Sequence, residues 1–173
     1  SIMKINEKLD TGPLCNSYKI NLTNTENAAT ISEKLSLLSA KKILDNLDDI
    51  LNDRAVFKEQ SNEEATYANK IDKIEGKINW NENAQKIIGK INGLYPNPGA
   101  WFNYNGERYK ILKAKIGGGI GKPGLILSNH LEICCNNTSI KVLEIQRQGK
   151  KIQTINEFIP GSQIKKGSNL LDV

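Results

Sequence analysis

A chain of 173 residues with 38% hydrophobic side chains is long and apolar enough for one folded domain or slightly more, which excludes a disordered tail or linker protein. No apolar run approaches the ~20 residues that span a bilayer, and the first residues carry no signal-peptide pattern. The net charge of +5 is unevenly placed: residues 1–72 hold 9 Lys/Arg against 12 Asp/Glu (net −3), and residues 73–173 hold 15 against 7 (net +8).

A basic second half points to an anionic partner, with nucleic acid the first candidate. Codon bias towards Lys, Asn and Ile accounts for the scarcity of Arg, but it would not confine the excess to one half. Cys15, Cys134 and Cys135 give an odd count with no Cys-x-x-Cys pair. That pattern fits reduced thiols in a cytoplasmic protein and argues against a disulfide framework or a zinc site.

Ile2 to Ile5 reads as the end of a strand, followed by Leu9-Asp10-Thr11-Gly12-Pro13 on a tight turn. A carboxylate just past a strand end is where open α/β sheets place ligands. The plainer alternative is a turn residue between two strands. Tyr18 to Leu22 alternates and predicts a strand, with Asn24 and Thr25 as caps for the next element. From Glu26 to Asn52, Ile31, Leu35, Leu38, Leu44, Leu47 and Leu51 recur mostly at three- and four-residue steps, which predicts a long amphipathic helix.

Residues 54–80 lack a period and read as a connection, with one helical turn at Ala65 to Ala68. Glu82 to Gly93 reads as a second helix, stopped by Pro96 and Pro98. Beyond it the pattern becomes short strands. Trp101 to Tyr104 and Arg108 to Ala114 flank the hairpin signal Asn105-Gly106. Further strands are predicted at Gly124 to Leu127, Leu131 to Cys134 and Ile140 to Gln146, then a short capped helix at Thr154 to Phe158. Several short strands joined by turns suggest a small barrel or sandwich.

Gly119-Ile120-Gly121-Lys122-Pro123-Gly124 matches a dinucleotide fingerprint in letters only, because no helix comes after it to hold a pyrophosphate. It reads as a flexible surface connection. His130, the only histidine, sits at the tip of a predicted turn without nearby ligand-type residues. Arg147-Gln148-Gly149-Lys150-Lys151 puts three cations on one turn, suited to phosphate contact or simply to a solvated loop. Most of Trp101, Phe102, Tyr104 and Tyr109 should be core, with one available to stack on a base.

Five spaced segments together resemble methionyl-tRNA formyltransferase. They are Ile2-Met3 with Leu9 to Pro13; Ala65 to Ala68 with Lys70-Ile71 and Gly76-Lys77-Ile78-Asn79-Trp80; Ile91 to Trp101; Lys122-Pro123-Gly124; and Leu143 to Gln146 with Gly149-Lys150-Lys151. Phe158, Gly161 and Gly167 also fit. The resemblance runs almost the full length.

It implies a mixed α+β chain. Residues 1–53 would be the end of a Rossmann-like catalytic domain, a strand plus the long helix. Residues 54–80 would be a linker, and 81–173 a C-terminal OB-like open β-barrel that binds tRNA. The implied reaction moves a formyl group from 10-formyltetrahydrofolate to the amino group of methionyl initiator tRNA, with no metal.

Asp10 matches the aspartate of the family's Asn, His and Asp trio. The other two would lie upstream, so the chain is expected to be a fragment, inactive by itself. Asn6, Glu7 and Lys8 would line the folate pocket. Arg108, Lys110, Lys113, Arg147, Lys150 and Lys151 would grip tRNA phosphates. The helix at 26–52 should cover its apolar stripe with a second copy, forming a homodimer, or with the barrel, or else be poorly ordered. Two alternatives remain: a non-catalytic tRNA- or RNA-binding module, and the tail of a sugar-nucleotide formyltransferase.

Overall fold

The computed structural model describes residues 1–23 and 25–171, so the expected cap Asn24 lies outside the described residues. The chain divides into two compact units: Ser1–Glu26 with Thr30–Lys70, and Asn27–Ala29 with Ile71–Val173.

In the first unit, β1 (Ile2–Met3) pairs antiparallel with β2 (Leu14–Asn16). The chain at Lys58 extends this ribbon: Leu14 N–H donates to the Lys58 carbonyl at 2.8 Å and Lys58 N–H returns to Leu14 at 2.9 Å. The strand expected at Tyr18 to Leu22 is not formed. Its alternation has no neighbouring strand to pair with, and Tyr18 is used differently. Its hydroxyl accepts from Asn46 at 2.8 Å and its ring lies under the Lys42 ammonium.

Helix α1 (Ala28–Leu51) matches the expected helix to within two residues at each end. None of its residues is buried, and Leu44 and Leu51 are about 70% exposed. Two of the acidic residues near its C-terminus have cationic partners, Lys42 for Asp45 and Arg54 for Asp49. Part of its apolar stripe, Leu35, Leu38 and Ile43, lines a groove of about 420 Å³ with Ile2, Met3 and Tyr18. The helical turn expected at Ala65 to Ala68 lies instead at Asn62–Glu64, as a 3-10 turn.

The second unit is sheet-rich. Helix α2 (Ala84–Gly93) starts at Asn83, whose side chain accepts from the Lys86 amide at 2.8 Å, and it buries Ala84, Ile87 and Ile91. Strands β3 (Ala100–Tyr104) and β4 (Glu107–Ile116) form the expected hairpin. Asn105 and Gly106 both have positive φ, 50° and 76°, as a two-residue type I′ turn requires.

β5 (Glu132–Cys134), β6 (Ser139–Arg147) and β7 (Ile152–Thr154) complete an antiparallel sheet of order β3-β4-β6-β5, with β7 also paired to β6. Thr154 then caps the short helix α3 (Ile155–Phe158), where Glu157 closes a capping box. The register slips at Leu112 on β4 and Leu143 on β6, the bulges that bend a long strand pair. Gly124 to Leu127 forms only isolated bridges, Leu125 to Asn169 and Ile126 to Ile133, rather than a strand. Among the described residues the outer strands β3 and β5 do not pair, so the sheet is open.

One face of the sheet and α2 enclose the core, which includes Phe102, Tyr109, Ile111, Ile133, Ile140, Val142, Ile145 and Phe158. Ile78 and Trp80 belong to this core although they precede α2. Cys134 and Cys135 are both buried, and burial pushes the Cys135 thiol up to about 11, so both are packing residues.

The segment Gly119 to Gly124, expected to be a flexible connection, is anchored at both ends: Gly124 N–H donates to the Cys134 carbonyl at 3.0 Å, and Gly119 is held together with the glycines before it. The amides of Gly118 and Gly119 donate to the Glu132 carboxylate at 3.2 and 3.1 Å, and Ser139 donates to the same oxygen at 2.6 Å. A side chain at Gly117 or Gly119 would collide with Ser139 or Leu127.

Candidate functional site

Asp10 lies in the turn-rich connection between two antiparallel strands, not at the carboxyl end of a parallel one. Its φ of 56° is left-handed, a conformation that aspartate tolerates better than most residues. Three contacts fix the loop. Lys4 N–H donates to the Pro13 carbonyl at 3.0 Å, and the Gln60 side-chain amide donates to the carbonyls of Asp10 at 3.0 Å and Gly12 at 2.6 Å. Gly12 is required by proximity, since a Cβ there would overlap the Lys4 carbonyl.

This clamp presents Asp10 on the surface, where its carboxylate accepts no hydrogen bond among the described residues. Asn6, Glu7 and Lys8 stand together beside it. With Ile5 and Thr11 they form an open depression of about 470 Å³, in which Ile5 is almost fully exposed.

The six expected phosphate-binding cations divide into distinct settings. Arg147 is clamped by Glu107 in a two-pronged pair, both N–O distances being 2.6 Å. Tyr109 also donates to Glu107, at 3.0 Å. The Arg147 hydrogen bonds hold the Glu107 carboxyl below the usual range, and the Tyr109 bond adds to this. Burial, with the bond to Glu107, pushes the Tyr109 hydroxyl up to about 12. No local sequence signal marks this trio, because it depends on β4 meeting β6 with Tyr109 opposite Arg147.

Gly149 has φ 71° and turns the chain so that Lys150 and Lys151 are exposed. They line a cleft of about 580 Å³ with Arg147, Gln153, Glu157 and Phe158. On β4, Arg108 and Lys110 alternate with the core residues Tyr109 and Ile111, so they occupy the opposite face of the sheet. Lys113 sits across from Glu144 at 3.9 Å. The Arg108 guanidinium lies 4.0 Å from the Trp101 ring centre.

The basic residues therefore do not form one patch. Lys150 and Lys151 share a cleft with Arg147, Arg108 and Lys110 share the other sheet face, and Lys113 has a carboxylate opposite. His130 is exposed on its expected turn, and among the described residues no group of three or more His, Cys, Asp or Glu is placed to hold a metal ion.

Residues 70–163 match the model of the formyl transferase C-terminal domain. The chain belongs to the formyl transferase family. It is 59% identical, over an alignment of 174 positions that covers all of its length, to methionyl-tRNA formyltransferase of Pelagibacter ubique. It is 40% identical over 167 residues, 95% of its length, to the enzyme of the same name from Thermodesulfovibrio yellowstonii. These alignments cover 56% and 54% of the two relatives, so the chain spans about half the length of the curated relatives it matches. The fold is also that of HypX from Aquifex aeolicus, solved in complex with tetrahydrofolic acid. The TM-score is 0.74 at 14% identity, over 95% of this chain and 30% of that one. In this member of the formyl transferase family the Gly76-to-Trp80 run serves packing: Ile78 N–H donates to the Trp101 carbonyl at 2.8 Å, and Trp80 enters the core.

Proposed function

We propose that this formyl transferase chain serves the transfer of a formyl group from 10-formyltetrahydrofolate to the amino group of methionyl initiator tRNA. Identity of 59% across the whole chain to a methionyl-tRNA formyltransferase carries this reading. The Pelagibacter and Thermodesulfovibrio relatives both bear the methionyl-tRNA name, which favours tRNA over a sugar nucleotide as acceptor. The tetrahydrofolate in the HypX complex supports a folate donor.

In this assignment residues 1–53 close a Rossmann-like catalytic domain and 54–80 form a linker whose last residues, Ile78 and Trp80, pack into the core beside α2. Residues 81–173 form an OB-like open barrel that binds tRNA. The protein works in the cytoplasm and needs no metal.

Asp10 supplies the carboxylate that orients a neutral histidine base and stabilises the imidazolium it becomes. That base takes the proton from the amine as nitrogen attacks the formyl carbon, and an asparagine donor stabilises the oxyanion. The imidazolium then returns that proton to N10 as the bond from the formyl carbon to N10 breaks, releasing tetrahydrofolate. The rigid loop around Gly12 suits Asp10 to this task, because a positioning carboxylate must hold its place. Asn6, Glu7 and Lys8 form one wall of the folate site.

Lys150 and Lys151 contact tRNA phosphates directly, with Arg108, Lys110 and Lys113 contributing from β4. Arg147 acts from within its Glu107 clamp. These contacts fix position rather than read sequence.

The 173-residue polypeptide by itself, whose single histidine is His130 in the other unit, binds methionyl-tRNA but does not formylate it. Filter binding over a potassium chloride series, with a formylation assay on the same preparation, tests both statements. Binding that weakens steeply with salt and yields no formylmethionyl-tRNA supports the proposal. Salt-independent binding overturns the phosphate-contact reading, and product formation overturns the inactivity of the isolated polypeptide.

A further inference from the structure

Trp101 is 5% exposed yet lies outside the core cluster, and its β3 neighbour Phe102 points the other way into that core. The indole is buried on the outer face of the sheet. Its N–H donates to the Lys73 carbonyl at 2.9 Å, and its edge rests against Gly76, where a Cβ would come within 3.0 Å of the ring. The indole is thus a plate with its polar atom satisfied and little freedom to turn.

Arg108, itself exposed, covers this plate at 4.0 Å and forms no ion pair among the described residues. Arg147 and Lys113, also on this sheet, each pair with a carboxylate, and Lys110 lacks an aromatic beneath it. Lys110 lies directly across from Trp101 in the β3–β4 register, and Asn103 lies across from Arg108. One flat, pre-oriented cation therefore stands uncompensated, with a second positive charge and an amide on the same face.

We infer that the outer face of the β3–β4 hairpin is a stacking site for an unpaired nucleotide. Its base lies on the free face of the Arg108 guanidinium, which Trp101 supports from below, and Lys110 meets the adjoining phosphate. Guanidinium planes stack on bases as they do on indole, and a cation already fixed on an aromatic loses little freedom when a base arrives. The inference rests on the proposed tRNA partner and deepens it: the hairpin would hold a single-stranded nucleotide, whereas Lys150 and Lys151 hold phosphates alone.

The test uses the full chain, its R108K variant and two RNA probes of equal length and charge, an oligouridylate and the same oligomer with abasic sugars. Affinities are measured by fluorescence anisotropy at low salt. Wild type should prefer the oligomer with bases by roughly 5-fold or more, the low end for one stacked base. R108K keeps the charge but loses the plane, so it should bind both probes like wild type binds the abasic one, with an unchanged salt slope. Matching thermal melts of the two proteins establish that the variant is folded. Equal affinity of wild type for both probes, or an undiminished base preference in R108K, overturns the stacking site while leaving the tRNA reading intact. Failure of wild type to bind either probe, or tRNA, at low salt overturns both.

Discussion

Trp80→Ala should unfold the second unit far more readily than its place ahead of α2 suggests. Trp80 is 1% exposed and meets Phe102 edge-on at 5.8 Å between ring centres. A buried Trp removes about 200 Å² from water. At ~25 cal/mol per Å² that is about 5 kcal/mol. Residual burial in the unfolded chain lowers this, and aromatic-to-Ala substitutions in cores cost about 3–5 kcal/mol. For a unit of about 100 residues each kcal/mol moves the melting temperature by about 4–8 °C, so the drop should exceed ~12 °C. Thermal melts followed by near-ultraviolet circular dichroism would read it, with Val56→Ala, at a 70% exposed position of the first unit, as control. A Trp80→Ala protein melting within ~2 °C of wild type would refute the assignment of the Gly76-to-Trp80 run to the core.

Three further outcomes are expected. Gly12→Ala should free the Asp10 loop, since the new Cβ overlaps the Lys4 carbonyl, and hydrogen exchange should show lost protection of the Lys4 amide; unchanged protection would count against the clamp. Glu107→Gln should flatten the acid side of the stability curve. The Glu107 carboxyl is held below its ordinary 4.5 when folded, so its contribution is present above that pH and is lost as pH falls through the folded value. Denaturant midpoints of the two proteins should converge as pH falls from 4.5 through the folded value, and a gap that stays constant over the whole acid limb would contradict the Arg147 clamp. The isolated chain should self-associate through α1, where Leu44 and Leu47 are exposed. Sedimentation equilibrium should show a dimer that Leu44→Glu with Leu47→Glu returns to monomer; identical masses for both proteins would rule out that face.

The elements with strong local signals were legible in the sequence. α1 announced itself by its apolar spacing, the end of α2 by Pro96 and Pro98, and the β3–β4 hairpin by Asn105-Gly106, each a short-range effect. Features that depend on distant chain were not. β7 is three residues long and exists because β6 offers an edge. Tyr18 to Leu22 alternates like a strand but finds no partner, whereas Leu14 finds Lys58.

The site divides in the same way. Asp10 and the Gly149 turn could be read from their neighbours, since glycine and proline constrain local geometry. The Glu107–Arg147 clamp and the Trp101–Arg108 stack come from strand register. They give chain neighbours different settings: Arg147 is paired with Glu107, whereas Lys150 and Lys151 are exposed. The segment Gly119 to Gly124 shows the converse: composition suggested slack, but Glu132 and Ser139 hold Gly119, and the Cys134 carbonyl holds Gly124, by hydrogen bonds from other strands.

The most direct test of the formyl transfer assignment is a chimera in which this chain replaces the aligned segment of the Pelagibacter ubique enzyme, 56% of that protein. The measurement is the initial rate of formylmethionyl-tRNA formation from 10-formyltetrahydrofolate, with Asp10 intact and with Asp10→Asn. The first should formylate, and the second should lose at least ~100-fold in rate, the scale of a lost proton-transfer partner. A folded chimera that forms no product, or one that Asp10→Asn leaves equally fast, would contradict the assignment.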